Sequence, residues 1–370
     1  MILVLLLNIN IAFIASLALS LYIGFMAGSK ISLVFILFIG SAMGIYAVRG
    51  ARRRSQIFFA GFIVSLTNFF SISGVGLLNN FGKEIIFREG LFGLINGIIS
   101  SFIAIGLVSI FEYVFNLVTN ITLLELSDLS HPLLKELTIK APGTYHHSIQ
   151  VGNLAEEACD AIGANSLLAR VGAYYHDVGK IEKAAYFVEN EMGTTSKHEK
   201  LTPSMSALVI ISHTKDGVEL GRKHKLNGAI LDFISQHHGT GLIYYFYQRA
   251  LEKVASAEEL KEEEFRYIGP KPQTKETAIV LLADAVEASS RMLSDPTPAR
   301  IRGLVQKIIN NKFIDGQLEE CDLTLKDLNK ISESFVRVLT GIFHTRLEYP
   351  EVKSKKERTN AFKNKTKQSK

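Results

Sequence analysis

Four long apolar stretches fill the first third of this chain, and they restrict its fold more than any other feature. A helix that crosses a bilayer needs about 20 mostly apolar residues. Residues 2–27, 31–48, 56–79 and 91–118 meet that need, and the first of them carries no charge. A cleaved secretory leader would have a basic start and a shorter apolar core. Neither is present, and further spans follow, so the first stretch reads as a retained helix. Residues 1–120 are therefore expected to form a membrane domain of about four transmembrane helices.

Orientation follows from the excess of Lys and Arg in short cytoplasmic loops. The loop between the second and third spans contains Arg49, Arg52, Arg53 and Arg54 and no acid. The other loops hold Lys30 in one case and Lys83, Glu84, Arg88 and Glu89 in the other. The arginine loop should face the cytoplasm. Four spans then put both termini there, giving a multi-pass protein of the cell membrane with a cytoplasmic carboxyl-terminal domain. The spans hold no ionisable residue at mid-depth, which argues against a transporter or channel. Glu112, late in the last span, reads as an interfacial residue.

The net charge of +5 misleads about partners, because residues 353–370 hold eight Lys/Arg and one Glu. That tail carries +7 and the remainder about −2. A terminal basic run with a single aromatic, Phe362, reads as a solvated, disordered tail over 351–370. Anionic lipid headgroups are its better functional match, and a nucleic-acid polymer is not an expected partner. Two cysteines, Cys159 and Cys321, stand apart from any C-x-x-C pair. This fits a reducing compartment and excludes a disulfide scaffold.

From about residue 124 the pattern is helical. Val151, Leu154, Ala155, Ala158 and Ile162 follow an i, i+3, i+4 stripe, and Gly163 stands where a helix cap would be. Asn165 or Ser166 can cap the next helix, which Gly179 should end. Later helices are expected over 203–213, 227–237, 241–258, 274–292, 298–310 and 325–346. No run alternates with period two. The fold class is all-α: a membrane helical bundle followed by an all-helical domain over 121–350.

That domain contains Tyr145-His146-His147-Ser148, Tyr175-His176-Asp177-Val178-Gly179-Lys180, His213, Gln236-His237-His238-Gly239 and Ala283-Asp284-Ala285. Neutral imidazole and carboxylate are ligands for Mn, Fe, Zn and similar cations. Asp177 lies within the constellation, and one carboxylate can bridge two cations. A metal pair about 3.5–4 Å apart suits phosphodiester hydrolysis, because it activates water and neutralises phosphate oxygens. Lys180 can stabilise developing negative charge; it also sits at a predicted helix end, where the dipole favours a cation.

These segments, with Leu123-Leu124-Glu125-Leu126-Ser127, His131-Pro132-Leu133-Leu134, Ala141-Pro142-Gly143-Thr144, Tyr186-Phe187-Val188-Glu189-Asn190 and Phe265-Arg266-Tyr267 through Gly269-Pro270-Lys271-Pro272 to Glu276, carry a resemblance. The sequence resembles the HD superfamily of metal-dependent phosphohydrolases, and more narrowly the PgpH-type seven-transmembrane HD phosphodiesterases of bacteria. The match runs over about residues 120–350. Val178 stands where the family has Ile. The family also carries a first span, an extracellular domain and three further spans ahead of the last four. The chain begins near those last four, so the extracellular sensor is expected to be missing, as in a truncated or re-initiated product.

The resemblance implies an HD fold with two divalent transition-metal ions, Mn or Fe. One ion would be held by His147, His176, Asp177 and Asp284. The other would be held by Asp177, His213, His237 and His238. The implied substrate is cyclic di-AMP, hydrolysed to pApA. Asp177 and Lys180 are the catalytic candidates. His146, Lys271, Gln273, Lys275 and Arg291 are candidate substrate contacts, while His131, His198, His224 and His344 read as surface or packing residues. The residues alone leave open another nucleotide as substrate, or a membrane-bound receptor with an inactive HD domain; the complete ligand set argues against the latter. A homo-oligomer is compatible with all of these readings.

Overall fold

Inside a bilayer a single apolar segment can satisfy its backbone hydrogen bonds only as a helix, and the first third of the chain takes that form. The computed structural model describes residues 1–191, 196–253 and 260–344. A short helix, α1 (Ile2–Leu6), precedes α2 (Ile9–Met26), α3 (Ile31–Val48), α4 (Arg54–Leu78) and α5 (Lys83–Phe115). Among the described residues, α2 to α5 are the four helices long and apolar enough to cross a membrane. Phe25, Ile31, Phe59 and Phe92 are exposed on the bundle surface, where lipid would cover them. Small residues let α4 and α5 approach closely: Gly61 and Ser65 face Gly97 and Ser101, and Ser65 Oγ donates to the Leu94 carbonyl at 2.6 Å.

Two boundaries differ from the sequence expectation. The stretch 2–27 is broken at Asn8, whose side chain accepts from the Ile11 N–H at 2.9 Å and caps α2. The last span starts at Lys83, well before residue 91, and takes in Lys83, Glu84, Arg88 and Glu89. Helical hydrogen bonding is internal to the segment, so polar residues can extend a helix beyond the apolar layer.

The second part is built from α6 (Asn120–Leu126), α7 (Pro132–Lys140), α8 (Pro142–Ile162), α9 (Ser166–Tyr175), a 3-10 segment (Val178–Tyr186), α10 (Pro203–Lys223), α11 (Gly228–Gln236), α12 (Tyr244–Leu251), α13 (Lys275–Ser290), α14 (Pro298–Ile314) and α15 (Leu325–His344). Proline opens α7, α8, α10 and α14, where its missing N–H costs nothing. Asn165, Thr202, Asn227, Thr274 and Thr297 cap their helices by accepting a backbone N–H. Among the described residues the only extended pairing is an isolated bridge between Leu242 and Arg266.

Helix α13 is the central rod. Ala278, Ile279, Val280, Leu281, Leu282, Ala283 and Val286 are buried in a core shared with α8, α14 and α15. A second core joins Leu133, Leu134 and Leu137 to Val171, Tyr175, Ile230 and Ile234. Each buried Val, Leu or Ile side chain contributes about 1.5–3 kcal/mol on burial.

Several helices depart from the expected limits, and α14 runs on to Ile314 rather than ending at 310. Helix α10 continues to Lys223 rather than ending at 213, so His213 lies mid-helix. Helix α9 stops at Tyr175, and Val178 and Gly179 begin the 3-10 segment instead of closing the helix. Gly179 packs closely on α10 there: a Cβ on it would run into the His213 carbonyl. Helix α12 covers Tyr244–Leu251 of the expected 241–258; residues 254–259 lie outside the described residues, as do 345–346 of the last helix and the tail 351–370.

Candidate metal centre

Five helices, or the residues directly after them, deliver the seven expected ligands to one place. His147 lies in the second turn of α8. His176 and Asp177 follow α9, His213 projects from the middle of α10, His237 and His238 follow α11, and Asp284 comes from α13. Their ligand atoms form two groups: Asp177, His213, His237 and His238, and His147, His176 and Asp284.

Asp177 stands between the groups. Its Oδ1 is 3.3 Å from His213 Nε2 and 3.5 Å from His237 Nε2. Its Oδ2 is 3.3 Å from His176 Nε2 and 3.6 Å from His147 Nε2. Asp284 also spans the centre, with Oδ1 3.0 Å from His147 Nε2 and Oδ2 3.5 Å from His238 Nδ1. Asp177 is 1 % exposed and His176 and His237 are 0 % exposed.

The ring orientations are set from behind. His176 Nδ1 donates to the Ala173 carbonyl at 2.6 Å, and His213 Nδ1 to that of Ile210 at 2.6 Å. His237 Nδ1 donates to the Phe233 and Ile234 carbonyls, both at 3.0 Å. An Nδ1 that donates leaves the neutral ring's Nε2 as a lone pair, and all three point inward. His147 Nδ1 meets Glu287 Oε2 at 2.6 Å.

Electrostatics favour the ligand forms of His237, His238 and Asp177, whereas His147 must give up a proton to become a ligand. Burial pushes His237 down to about 4, so the ring is neutral at neutral pH. Burial also holds His238 well below its usual range. For His147 burial acts downward, but the Asp284 and Glu287 carboxylates prevail and raise it to about 9. Burial alone would protonate Asp177; Lys180 and His176 reverse that and hold it well below the usual carboxylate range.

Whether a cation fits can be asked of the donor set itself. Asp177 Oδ1 and His176 Nε2 are buried with no hydrogen-bond partner among the described residues, and Asp177 Oδ2 faces the Lys180 ammonium. Unpaired buried polar atoms are costly, and here they converge with imidazole lone pairs. Carboxylate oxygen with imidazole nitrogen suits divalent transition metals. The two groups can hold such ions.

Above the centre lies a cavity of about 440 Å³ lined by His147, Lys180, Glu189, His238, Tyr267 and Arg291, among others. Lys180 Nζ is 2.6 Å from Asp177 Oδ2 and 3.0 Å from Glu189 Oε1. Arg291 reaches the cavity while held by Glu287 at 2.5 and 2.8 Å. The other four candidate substrate contacts do not line it. His146 is exposed on α8, next to the buried His147. Lys271 pairs with Glu319 at 3.0 Å and Lys275 with Asp327 at 3.7 Å. Gln273 is exposed, and its N–H donates to Gln236 Oε1 at 3.0 Å. His198, read as packing, is buried and bonds the Tyr186 carbonyl at 2.8 Å; the His344 side chain lies outside the described residues.

Sequence reasoning missed Glu287, Glu189 and Tyr267 as site residues. Tyr267 stacks on His238 at 4.2 Å between ring centroids. Glu189 and Tyr267 lay within the segments that carry the resemblance, and Glu287 follows Asp284 by three residues, one turn along the same helix face.

Comparison with known proteins agrees with this geometry. Residues 1–119 match the family described as 7TM receptor with intracellular HD hydrolase, and residues 144–289 match the HD domain. The cyclic-di-AMP phosphodiesterase PgpH of Bacillus subtilis is 44% identical over 95% of this chain and 50% of its own length. The chain thus spans about half the length of the curated relatives it matches. The crystal structure of the L. monocytogenes PgpH HD domain is 48% identical, with a TM-score of 0.55 over 58% of this chain and all of that one. The same domain in complex with cyclic-di-AMP aligns with a TM-score of 0.56 at 48% identity, over 59% of this chain and 100% of that one. Likeness that runs through the membrane helices and continues across the helical domain makes this chain a member of the PgpH-type HD-domain family.

Proposed function

We propose that the chain is a membrane-bound, divalent-metal-dependent phosphodiesterase that opens cyclic di-AMP to linear pApA. The observation that carries the reading is Asp177: a buried carboxylate with one oxygen facing each of two imidazole groups. In this reading His147, His176, Asp177 and Asp284 hold one ion and Asp177, His213, His237 and His238 hold the other, with Mn or Fe as the metal. The ions, when bound, supply Lewis acidity toward phosphate oxygens and toward an attacking water. Lys180 keeps Asp177 charged and places positive potential on the cavity wall. Glu287 holds the His147 ring, and Arg291 offers a guanidinium to a phosphate. The substrate follows the relatives named for it.

The membrane domain over 1–120 anchors the catalytic domain over 121–350. The arginine loop and the metal domain share one side, since Arg54 pairs with Glu125 at 2.8 Å; the positive-inside bias then makes that side cytoplasmic. The test is hydrolysis by the full chain, in detergent or bilayer, of cyclic di-AMP, cyclic di-GMP and the linear dinucleotides, with Mn²⁺ added and then chelated. Preferred conversion of cyclic di-AMP to pApA is expected. A chain that carries two metals and cleaves none of these would sink the reading.

A further inference from the structure

Two of the ligand doublets are tied by hydrogen bonds to the end of a membrane helix. Helix α5 closes on Asn116 in the left-handed conformation, φ 51°. Asn116 Oδ1 accepts the Gly228 N–H at 3.1 Å, and Asn227 Nδ2 donates to the Leu117 carbonyl at 2.9 Å. The same Asn227 caps α11 through its Oδ1, which accepts from Ala229 at 2.9 Å. The first turn of α11 is therefore fastened to α5, and His237 and His238 stand at its far end.

A second route passes through α6. Glu112 Oε1, late in α5, accepts from the Thr119 N–H at 2.9 Å and the Thr122 hydroxyl at 2.8 Å. Arg54, at the start of α4, forks onto both Glu125 oxygens at 2.8 and 3.0 Å and reaches Ser109 of α5 at 3.1 Å. At the end of α6, the Leu126 carbonyl accepts from the Tyr175 hydroxyl at 2.8 Å. Tyr175 immediately precedes His176 and Asp177. Between the routes, Val118 packs on the core that contains Tyr175, Ile230 and Ile234.

A nine-residue helix such as α11 is a rod about 14 Å long, and it carries a displacement at one end to the other. Metal ligation tolerates only about 0.2 Å of error. We propose that Asn116, Asn227 and Tyr175 are positioning residues of the metal centre, through which movement of α5 in the membrane alters metal affinity and turnover. The inference rests on the metal-dependent reading above and adds the input that tunes it.

The test uses the full chain in bilayers of short-chain and long-chain phosphatidylcholine, which change the tilt of a spanning helix. Gly228→Ala puts a methyl into the Asn116 carboxamide, although alanine itself favours a helix. Asn116→Gly removes the carboxamide and keeps the left-handed backbone. Mn²⁺ binding to metal-stripped protein, followed by electron paramagnetic resonance, should weaken about tenfold in each. The double variant should match Asn116→Gly alone, because both act on one contact. Wild-type turnover should change with bilayer thickness, and both variants should lose that dependence. Wild-type Mn²⁺ affinity in the variants, or a thickness response that is absent in the wild type or unchanged by them, would overturn the inference. A wild-type chain that binds Mn²⁺ yet cleaves no phosphodiester would instead sink the functional reading, and the binding measurement keeps the two failures apart.

Discussion

His213 Nε2 and His237 Nε2 face each other at 3.1 Å. Each ring spends its Nδ1 proton on a backbone carbonyl one turn behind it. The two Nε2 atoms are thereby turned toward the same small volume, beside Asp177 Oδ1. A cation held between these nitrogens and the carboxylate oxygen would satisfy all three donor atoms at once.

Asp177→Ala should therefore empty both sites together. Elemental analysis of the purified variant should find metal far below that of the wild type, with affinity reduced more than about a hundredfold. Loss of one metal with retention of the other would show that the carboxylate serves a single ion.

Glu287 acts on metal through His147. Glu287→Ala frees the ring that now meets it at 2.6 Å, and metal affinity should fall about 10–100-fold. Glu287→Gln keeps an acceptor there and should lose less. Titration of stripped protein with Mn²⁺ separates the two, and equal losses would mean that charge rather than orientation is what Glu287 supplies.

Removing metal should destabilise the domain as well as silence it. At free metal about a thousandfold above its dissociation constant, binding adds about 4 kcal/mol to stability. Chelation should lower the unfolding midpoint and abolish hydrolysis, and added Mn²⁺ should restore both. Activity that survives exhaustive chelation would contradict the mechanism.

Lys180→Met leaves Asp177 buried without its 2.6 Å ammonium partner. Stranding one member of a buried ion pair costs about 3–5 kcal/mol. The variant should unfold at lower temperature, with the loss partly recovered when metal is supplied to the carboxylate. An unchanged midpoint would place the ion pair outside the stability of the centre.

Gly179→Ala tests the close approach of the 3-10 segment to α10. The added methyl meets the His213 carbonyl, and overpacking of this kind costs about 1–3 kcal/mol. Each kcal/mol lowers the midpoint by about 2–4 °C in a domain of this size.

The all-helical class and the membrane spans were legible because both depend on short-range pattern. Apolar runs and an i, i+3, i+4 stripe read out directly as helices, as in α8. Boundaries were less legible where tertiary contact sets them: α10 runs through His213 because Gly217 and Gly221 let it pack on Ile234 and Leu231, and nothing near residue 213 announces that. The isolated lysines and histidines divided in the same way. Lys271 and Lys275 are basic residues beside a conspicuous loop, but Glu319 and Asp327 hold them away from the cavity.

The sequence alone determined the donor inventory, since His and Asp doublets at helix ends advertise metal chemistry wherever they fold. Only the tertiary structure decided which oxygen of Asp177 faces which imidazoles, that Glu287 stands behind His147, and that α5 is bonded to α11. Ligand identity is a property of single side chains, whereas distance and ring orientation are set by how helices from distant parts of the chain pack together.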